Sequence, residues 1–260
     1  MIHNEFDPDK RAIINPEDCC HHTGGDFPEI CIGIFSKPIM DWLLDKYGGT
    51  EISHFGCCIG AVPIYKVEAY GTDVAVFMPF VGGPGAASTM EESIPMGGKY
   101  YVYFGAAGVL RKGISHGKLL LPTAAIRDEG LSYHYIPAAD EIELNPEDLQ
   151  ACREAMNELG VSFAEGKTWT TDAFFRETRA KAARRREQGC ISVEMECASL
   201  AAVARFRDAH FAEFFYATDT VDDAGWDGGI LHEKGAGLEE VCFRVAVETG
   251  KRMRRHEKEK

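Results

Sequence analysis

The sequence predicts an α/β fold: a single domain in which a mixed, mostly parallel central sheet is flanked by helices. The first observation is that short apolar runs of strand length alternate with helical patterns along the chain. The second is that these runs are apolar throughout, which is typical of strands covered on both faces. The 260 residues are enough to bury one large core. We expect an irregular N-terminal arm over residues 1–25 and one domain over residues 26–260.

The individual elements follow from these runs and from local start and stop signals. The apolar runs predict buried strands over residues 30–35, 74–78, 100–104 and 211–217. The helical patterns predict helices over residues 38–47, 86–96 and 238–255. Another helix is predicted from Asn145-Pro146 to Gly160, because Asn is a favoured N-cap, Pro suits the first helical position and Gly suits the end.

Glycine-rich or polar stretches directly follow several of the predicted strands. They come after Phe35, after Met78, after Phe104 and at Asp219. In an open α/β sheet, ligands bind beyond the carboxyl ends of the strands. We therefore expect a ligand site at this edge of the sheet.

Composition and charge argue against several classes of function. The net charge of −13 disfavours general nucleic-acid binding, which needs a cationic surface. No apolar run approaches the roughly 20 residues that span a bilayer, and the N-terminus lacks signal-peptide features, so we expect no membrane partner and a cytoplasmic location. The nine cysteines have no repeating spacing, and Cys19-Cys20-His21-His22 is poor zinc spacing. We therefore expect reduced thiols and no metal site.

The stretch Val193-Glu194-Met195-Glu196 places two carboxylates where an apolar run turns into a helical pattern. A strand would send Glu194 and Glu196 to the same side, because side chains alternate with period two. Two acceptor-only groups on one side suit a ligand rich in hydroxyl groups, such as a sugar. The alternative is a solvated glutamate pair at a helix start, where negative charge is favoured.

This stretch resembles the Val-Glu-Met-Glu signature of the nucleoside phosphorylase superfamily, which includes purine nucleoside phosphorylase, uridine phosphorylase and the nucleosidases. The resemblance covers residues 30–227 and includes four further segments in family order. These segments are Gly82-Gly83-Pro84-Gly85, Phe104-Gly105-Ala106-Ala107-Gly108-Val109-Leu110, Thr170-Thr171-Asp172-Ala173-Phe174-Phe175 and Ala217-Thr218-Asp219. The resemblance implies a phosphorylase-like fold and cleavage of the N-glycosidic bond of a nucleoside.

The resemblance also implies roles for four residues. Glu196 matches the carboxylate that binds ribose hydroxyls, and Met195 matches the methionine beneath the sugar. Phe174 matches the aromatic residue that stacks on the base, and Asp219 matches the acid that protonates a purine ring nitrogen. The plain alternatives are a core methionine at 195 and a turn or N-cap aspartate at 219.

Further candidates for substrate binding come from the same segments and from the arm. Glycines at 83 and 85 would let the backbone approach a ligand closely. Arg176 and Glu177 would read a base edge, or would pair with each other on a helix. A histidine of the arm would reach the sugar in a partner's site, or would be exposed to solvent. The full set is Glu194, Gly83, Gly85, Ala106, Ala107, Gly108, Arg176, His21 and His22.

The family's phosphate site is largely missing from the sequence. The stretch Phe35-Ser36-Lys37-Pro38 lacks the family's arginine, and Tyr103 stands where a second arginine is usual. The candidates to rebuild a phosphate site are Ser36, Lys37, His54 and Arg127, although a structural ion pair is the favoured interpretation for Arg127. The glutamate that organises water in the nucleosidases is also absent near the first strand.

The nucleophile therefore stays open at this point. Phosphorolysis is favoured because it is the commoner activity among the relatives; hydrolysis and non-catalytic binding of a nucleoside or base are the alternatives. Asp219 favours a purine over uracil. We expect no cofactor beyond phosphate as co-substrate. We also expect a homo-oligomer, dimer or hexamer, with sites near the subunit boundaries.

Overall fold

A computed structural model describes residues 2–20, 26–58, 60–222, 225–231 and 237–259. Within these residues the strands are β1 (Ile30–Phe35), β2 (Thr50–Cys57), β3 (Gly60–Ala69), β4 (Thr72–Phe77), β5 (Tyr100–Val109), β6 (Leu119–Asp128), β7 (Glu141–Glu143), β8 (Phe163–Thr171), β9 (Cys190–Glu194), β10 (His210–Asp222) and β11 (Gly225–Asp227). The α-helices are α1 (Pro16–Cys19), α2 (Lys37–Tyr47), α3 (Gly83–Ser93), α4 (Ser132–Tyr135), α5 (Pro146–Glu158), α6 (Arg179–Glu187), α7 (Cys197–Phe206) and α8 (Glu239–Lys258).

The strands form one mixed sheet flanked by helices, as predicted. Parallel pairs join β1 to β4 and β5, β10 to β5, and β8 to β6 and β9. Antiparallel pairs occur at the edges, in the β2–β3–β4 meander and at β7 and β11. Two more antiparallel pairs, β5–β9 and β6–β10, close a circuit through β5, β10, β6, β8 and β9. The sequence patterns did not predict this closure.

Strand β5 separates two hydrophobic cores because its side chains alternate between faces. Tyr101 and Tyr103 pack on the side covered by α3 and α7. Val102 and Phe104 pack on the opposite side, together with residues of α2, α5 and α8. All four side chains are fully buried. The continuous apolar run of β5 is therefore explained by burial on both faces.

Local signals predicted some element boundaries well. Strand β1 has its predicted bounds, and Asn145 caps α5 by accepting the N–H groups of Glu147 (2.9 Å) and Asp148 (3.4 Å). The strands β5 and β10 are longer than predicted, since pairing with neighbours carries them beyond their apolar centres. Residues 2–20 are irregular apart from α1 and a 3-10 turn, Ile2–Asn4.

Across the residues that the structure describes, none of the helices is both long and apolar enough to cross a membrane.

Candidate active site

The centre of the site is the turn between β9 and α7. The strand ends at Glu194, and Glu196 is the N-cap residue of α7, with φ −132° and ψ −34°. The expectation that both carboxylates project from one strand is therefore wrong, because the strand ends between them. The reason is that the first N–H groups of a helix need acceptors outside it, and Glu194 supplies one.

Glu194 is buried and accepts hydrogen bonds on both oxygens. Its Oε2 accepts the backbone N–H groups of Glu196 and Cys197, both at 2.7 Å, and its Oε1 accepts the Thr170 hydroxyl at 2.6 Å. Burial raises the pKa of Glu194 to about 7, and the neighbouring charge of Glu196 adds to this rise. These contacts fix the turn, so Glu194 acts on the site by holding its neighbours.

Glu196 connects this turn to the loop before α3. Its Oε1 accepts the Gly82 N–H at 2.6 Å, and its Oε2 accepts the Met195 N–H at 3.2 Å. The residue is 8% exposed, and burial raises the pKa of its carboxyl group, with a further rise from the charge of Asp172. A carboxylate has about four lone-pair sites, so Glu196 keeps acceptor capacity for a ligand.

A cavity of about 510 Å³ opens beside this turn, at the carboxyl ends of β5, β9 and β10. This volume lies within the usual range for small-molecule sites. Glu196 is not among the residues that line it, although its neighbour Met195 is. The predicted candidates that line it are Ala106, Ala107, Gly108, Phe174, Glu194, Met195 and Asp219. Segments far apart in the sequence therefore converge where the sheet rule predicted a ligand site. Phe175, Glu177, Val193, Thr218, Val221, Trp226 and Leu231 complete the lining.

Asp219 lies within β10 beside a β-bulge. The register of β10 against β5 shifts between Ala217 and Asp219, and Asp219 pairs with Gly108. Its Oδ1 accepts the Thr218 hydroxyl at 2.9 Å, and its Oδ2 accepts the Trp226 indole N–H at 2.8 Å. Asp219 is therefore not a helix N-cap. Bulges of this kind re-aim a side chain next to a site.

The aromatic wall of the cavity comes from a 3-10 turn, Phe174–Arg176. The Phe174 and Phe175 rings are in contact, with centroids 4.0 Å apart. Arg176 is exposed and does not line the cavity, whereas Glu177 does. Arg176 and Glu177 form no ion pair with each other in the described part of the chain.

The glycines at 83 and 85 have a packing explanation in the structure. A Cβ atom on Gly83 would lie 2.3 Å from Ser199 Oγ, and one on Gly85 would lie 2.6 Å from Phe80 Cβ. Both glycines therefore permit a close approach between protein segments. The neighbouring Gly82 has φ +87° and donates its N–H to Glu196.

None of the four candidate phosphate ligands lines the cavity, and each has another partner. Ser36 caps α2 by accepting the Ile39 N–H at 3.4 Å, and Lys37 pairs with Asp41 on the surface. Arg127 is buried and donates to Ser132 Oγ and to the Pro137 carbonyl, both at 2.8 Å.

The hydrogen bonds to Ser132 and Pro137 hold Arg127 away from the cavity. Its guanidinium also lies 4.2 Å from the centre of the Tyr133 ring. Hydrogen bonds and this ring contact, in place of the expected ion pair, hold Arg127 among the residues that the structure describes.

Two of the predicted candidates, His21 and His22, lie outside the described residues. The described part of the chain contains no group of three or more side chains able to hold a metal ion. Sequence reasoning missed Trp226, whose indole binds Asp219, and Gly82, whose N–H binds Glu196. Gly82 could have been found from the sequence, because it follows a predicted strand. The position of Trp226 beside Asp219 depends on the β10–β11 pairing, which the sequence does not predict.

The chain belongs to the phosphorylase superfamily, whose family model matches residues 29–246. It is 33% identical over 109 residues to a uridine phosphorylase of Thermococcus kodakarensis, a match that covers 40% of this chain and 38% of that protein. It is 27% identical over 139 residues to a guanosine phosphorylase of Halorubrum lacusprofundi, covering 52% and 56% respectively. The chain thus spans about two fifths of the first relative and just over half of the second.

Two solved structures share the fold over most of their length. Purine nucleoside phosphorylase from Toxoplasma gondii, in complex with immucillin-H, matches with a TM-score of 0.75 at 19% identity. This match covers 89% of this chain and 93% of that chain. AMP nucleosidase from Bacteroides thetaiotaomicron matches with a TM-score of 0.71 at 20% identity, covering 90% and 91%. The predicted fold class is confirmed.

Proposed function

We propose that this chain is an enzyme that cleaves the N-glycosidic bond of a nucleoside, with inorganic phosphate as the attacking group. The observation that carries the proposal is the 510 Å³ cavity, where an aromatic wall, a methionine and carboxylates surround the ends of β5, β9 and β10. The two curated relatives support the choice of phosphate, since both are named as phosphorylases.

The reaction separates charge in a way that suits these side chains. Breaking the bond leaves positive charge on the sugar and negative charge on the departing base. Glu196, buried at the turn, would accept ribose hydroxyls and stabilise the positive sugar; interactions of this kind matter most where charge develops in the transition state. Phe174 would stack on the base.

Asp219 would serve the departing base. It lies in the same cavity as Phe174, and the Thr218 hydroxyl and the Trp226 indole hold its carboxyl group in a defined orientation. General acid catalysis needs such a group within reach of the atom that becomes basic. This role favours a purine nucleoside, whose ring nitrogen takes the proton as the bond breaks.

Hydrolysis is the second candidate, and one observation favours it. The described residues that line the cavity include no lysine, arginine or histidine. A phosphate ion needs a local cationic site against the net charge of −13, whereas water does not. A basic side chain from a partner subunit would remove this objection to phosphorolysis.

The test is base release from inosine and from uridine, each with and without phosphate, followed by chromatography. We expect release that requires phosphate and yields ribose 1-phosphate, detected by phosphorus NMR. Release that ignores phosphate and yields free ribose would identify a nucleosidase. No release, together with measurable binding of the free base, would identify a non-catalytic binding protein.

A further inference from the structure

Five exposed basic residues without a carboxylate partner lie beside the mouth of the cavity. They form the basic surface, which consists of Arg111, Lys112, Arg176, Arg179 and Arg184. Within the described part of the chain, none of their side chains makes a hydrogen bond or an ion pair. Several other surface cations are paired, as in Lys99–Glu29 at 2.8 Å and Arg153–Glu165 at 2.7 Å. Pairing within the chain therefore does not explain the basic surface.

The fold brings the residues of the basic surface together from separate segments. Arg111 lies just beyond β5, whose residue Gly108 lines the cavity. Arg176 lies in the 3-10 turn that carries the aromatic wall, shortly before α6 begins. Leu110 and Ala182 belong to one buried cluster, so the end of β5 packs close to α6. The basic surface therefore borders the cavity along the end of β5 and the 3-10 turn.

The basic side chains of α6 divide between the protein and the solvent. Lys181 and Arg185 both donate to Asp128, at 3.1 and 3.3 Å, and these bonds hold the helix against the end of β6. Arg179 and Arg184 remain exposed on the same helix. The two exposed arginines are therefore fixed in place by the packing of α6 while their charges face the solvent.

The interior of the cavity has the opposite character. The carboxyl groups of Glu177, Glu194 and Asp219 line it, and no lysine, arginine or histidine is present among its described lining residues. The whole chain carries a net charge of −13. An anion that approaches the cavity therefore meets a repulsive field except beside the basic surface. Local charge of one sign at a cleft raises the local concentration of an oppositely charged ligand and speeds its association.

We propose that the basic surface gathers inorganic phosphate at the mouth of the cavity and so raises the rate at which phosphate reaches the sugar. This inference rests on the proposed function, because it takes phosphate as the attacking group. Four of the five residues are arginines, whose planar guanidinium group matches the oxygen geometry of phosphate. The basic surface acts through its field and does not replace the groups that hold phosphate during the reaction.

A surface field differs from a direct contact in its dependence on salt. The screening length is about 30 Å at 0.01 M ionic strength and about 3 Å at 1 M. The field of the basic surface therefore reaches the cavity at low salt and is lost at high salt. The nucleoside is uncharged, so its capture should not respond to the basic surface at either salt concentration.

The test compares kcat/KM for phosphate, at saturating inosine, in the wild type and in the double variant Arg179→Gln with Arg184→Gln. At about 0.01 M ionic strength, we expect the double variant to lose at least about threefold, a part of the roughly 10–10³-fold that electrostatic steering supplies. In about 1 M sodium chloride the two proteins should have equal values. The value of kcat/KM for inosine, at saturating phosphate, should be the same in both proteins.

The matched control is Arg255→Gln with Lys258→Gln, because it removes the same charge from the exposed end of α8. That end of α8 lies at the opposite edge of the sheet, where the hydroxyl group of Tyr100, at the start of β5, donates to Glu257. The control variant should keep the wild-type kcat/KM for phosphate. Thermal unfolding checks that both double variants are folded.

Equal values of kcat/KM for phosphate in the two double variants at low salt would overturn the inference. A loss that persists at about 1 M salt would also overturn it, because it would indicate a direct contact. If base release does not depend on phosphate, the proposed function has failed, and a phosphorus NMR titration of phosphate at low salt replaces the kinetics. Phosphate binding that weakens in Arg179→Gln with Arg184→Gln but not in the control would then support the inference, and absent or unchanged binding would contradict it.

Discussion

Glu213 is a carboxyl group enclosed in the core close to the turn between β9 and α7. It lies on β10, is 1% exposed, and stands in register with Tyr103 of β5. Neither carboxyl oxygen has a hydrogen-bond partner of normal geometry in the described part of the chain, although the Cys197 thiol faces it. Burial raises the pKa of Glu213 well above its usual range, and the charges of Glu194 and Glu196 add to this rise. Burial therefore favours the neutral, protonated form of Glu213.

This placement predicts a pH-dependent stability. Because the folded-state pKa of Glu213 is above its unfolded value, the stabilising contribution is complete below the unfolded pKa and is lost as pH rises toward the folded pKa. Each pH unit between the unfolded and the folded pKa lowers the free energy of unfolding by about 1.4 kcal/mol. Between about pH 5 and pH 8, we expect the free energy of unfolding to fall less in Glu213→Gln than in the wild type. Urea denaturation at a series of pH values measures this difference.

Glu187→Gln serves as the control, since it removes the same charge at an exposed position on α6. A Glu213→Gln variant whose unfolding free energy has the wild-type pH dependence would show that Glu213 is ionised and paired in the folded protein.

At the scale of elements, local signals were sufficient where an element is defined by its own residues. Asn145 and Pro146 marked the start of α5, and the apolar run marked β1. Local signals were insufficient at the β9–α7 turn. There Glu194 accepts the Cys197 N–H at the start of α7, and Glu196 accepts the Gly82 N–H. That division depends on Thr170 and Gly82, which are distant from the turn in the sequence and contact it only through tertiary packing.

The contact between α3 and α7 gives a prediction at this scale. A methyl group on Gly83 would meet Ser199 Oγ at 2.3 Å, and Ser199 is itself fixed by a 2.7 Å hydrogen bond to Glu129. We expect Gly83→Ala to lower the free energy of unfolding by about 1–3 kcal/mol through overpacking, as measured by urea denaturation. In Gly56→Ala, where no atom lies within 4 Å of the added carbon, the loss should be absent or small. Equal stability of Gly83→Ala and the wild type would show that α3 and α7 can move apart without a loss of stability.

At the scale of the molecule, the rim of the cavity is the notable surface. Phe174, Phe175 and Trp226 are large apolar side chains that remain exposed beside it. Exposed apolar groups that cluster in this way mark interaction sites. Together with the N-terminal arm, they support the expectation that sites lie near subunit boundaries.

We predict a homo-oligomer, dimer or hexamer, because closed symmetric assemblies are the usual way to cover such surfaces. Light scattering at micromolar concentration should give a mass that is a multiple of 28.7 kDa. A mass of one chain would contradict this prediction and would leave the rim open to solvent.

The whole fold was predictable as a class, because apolar runs that alternate with helical patterns define an α/β sheet. The closed circuit of strands was not predictable, because the β5–β9 and β6–β10 pairings join segments far apart in the chain. The same holds for the site. The resemblance predicted Asp219 and Phe174, and Glu177 was a candidate to read a base edge, whereas Trp226 gains its position from packing.

The most direct test of the account compares nucleoside cleavage by the wild type and by Glu196→Gln, with base release measured at saturating inosine and phosphate. The substitution keeps an oxygen that can accept the Gly82 N–H, so the fold should persist, and thermal unfolding checks this. We predict that the wild type releases base and that the variant turns over about 10²–10³-fold more slowly, the usual loss when one transition-state contact is removed. Wild-type turnover in a folded Glu196→Gln variant would contradict it.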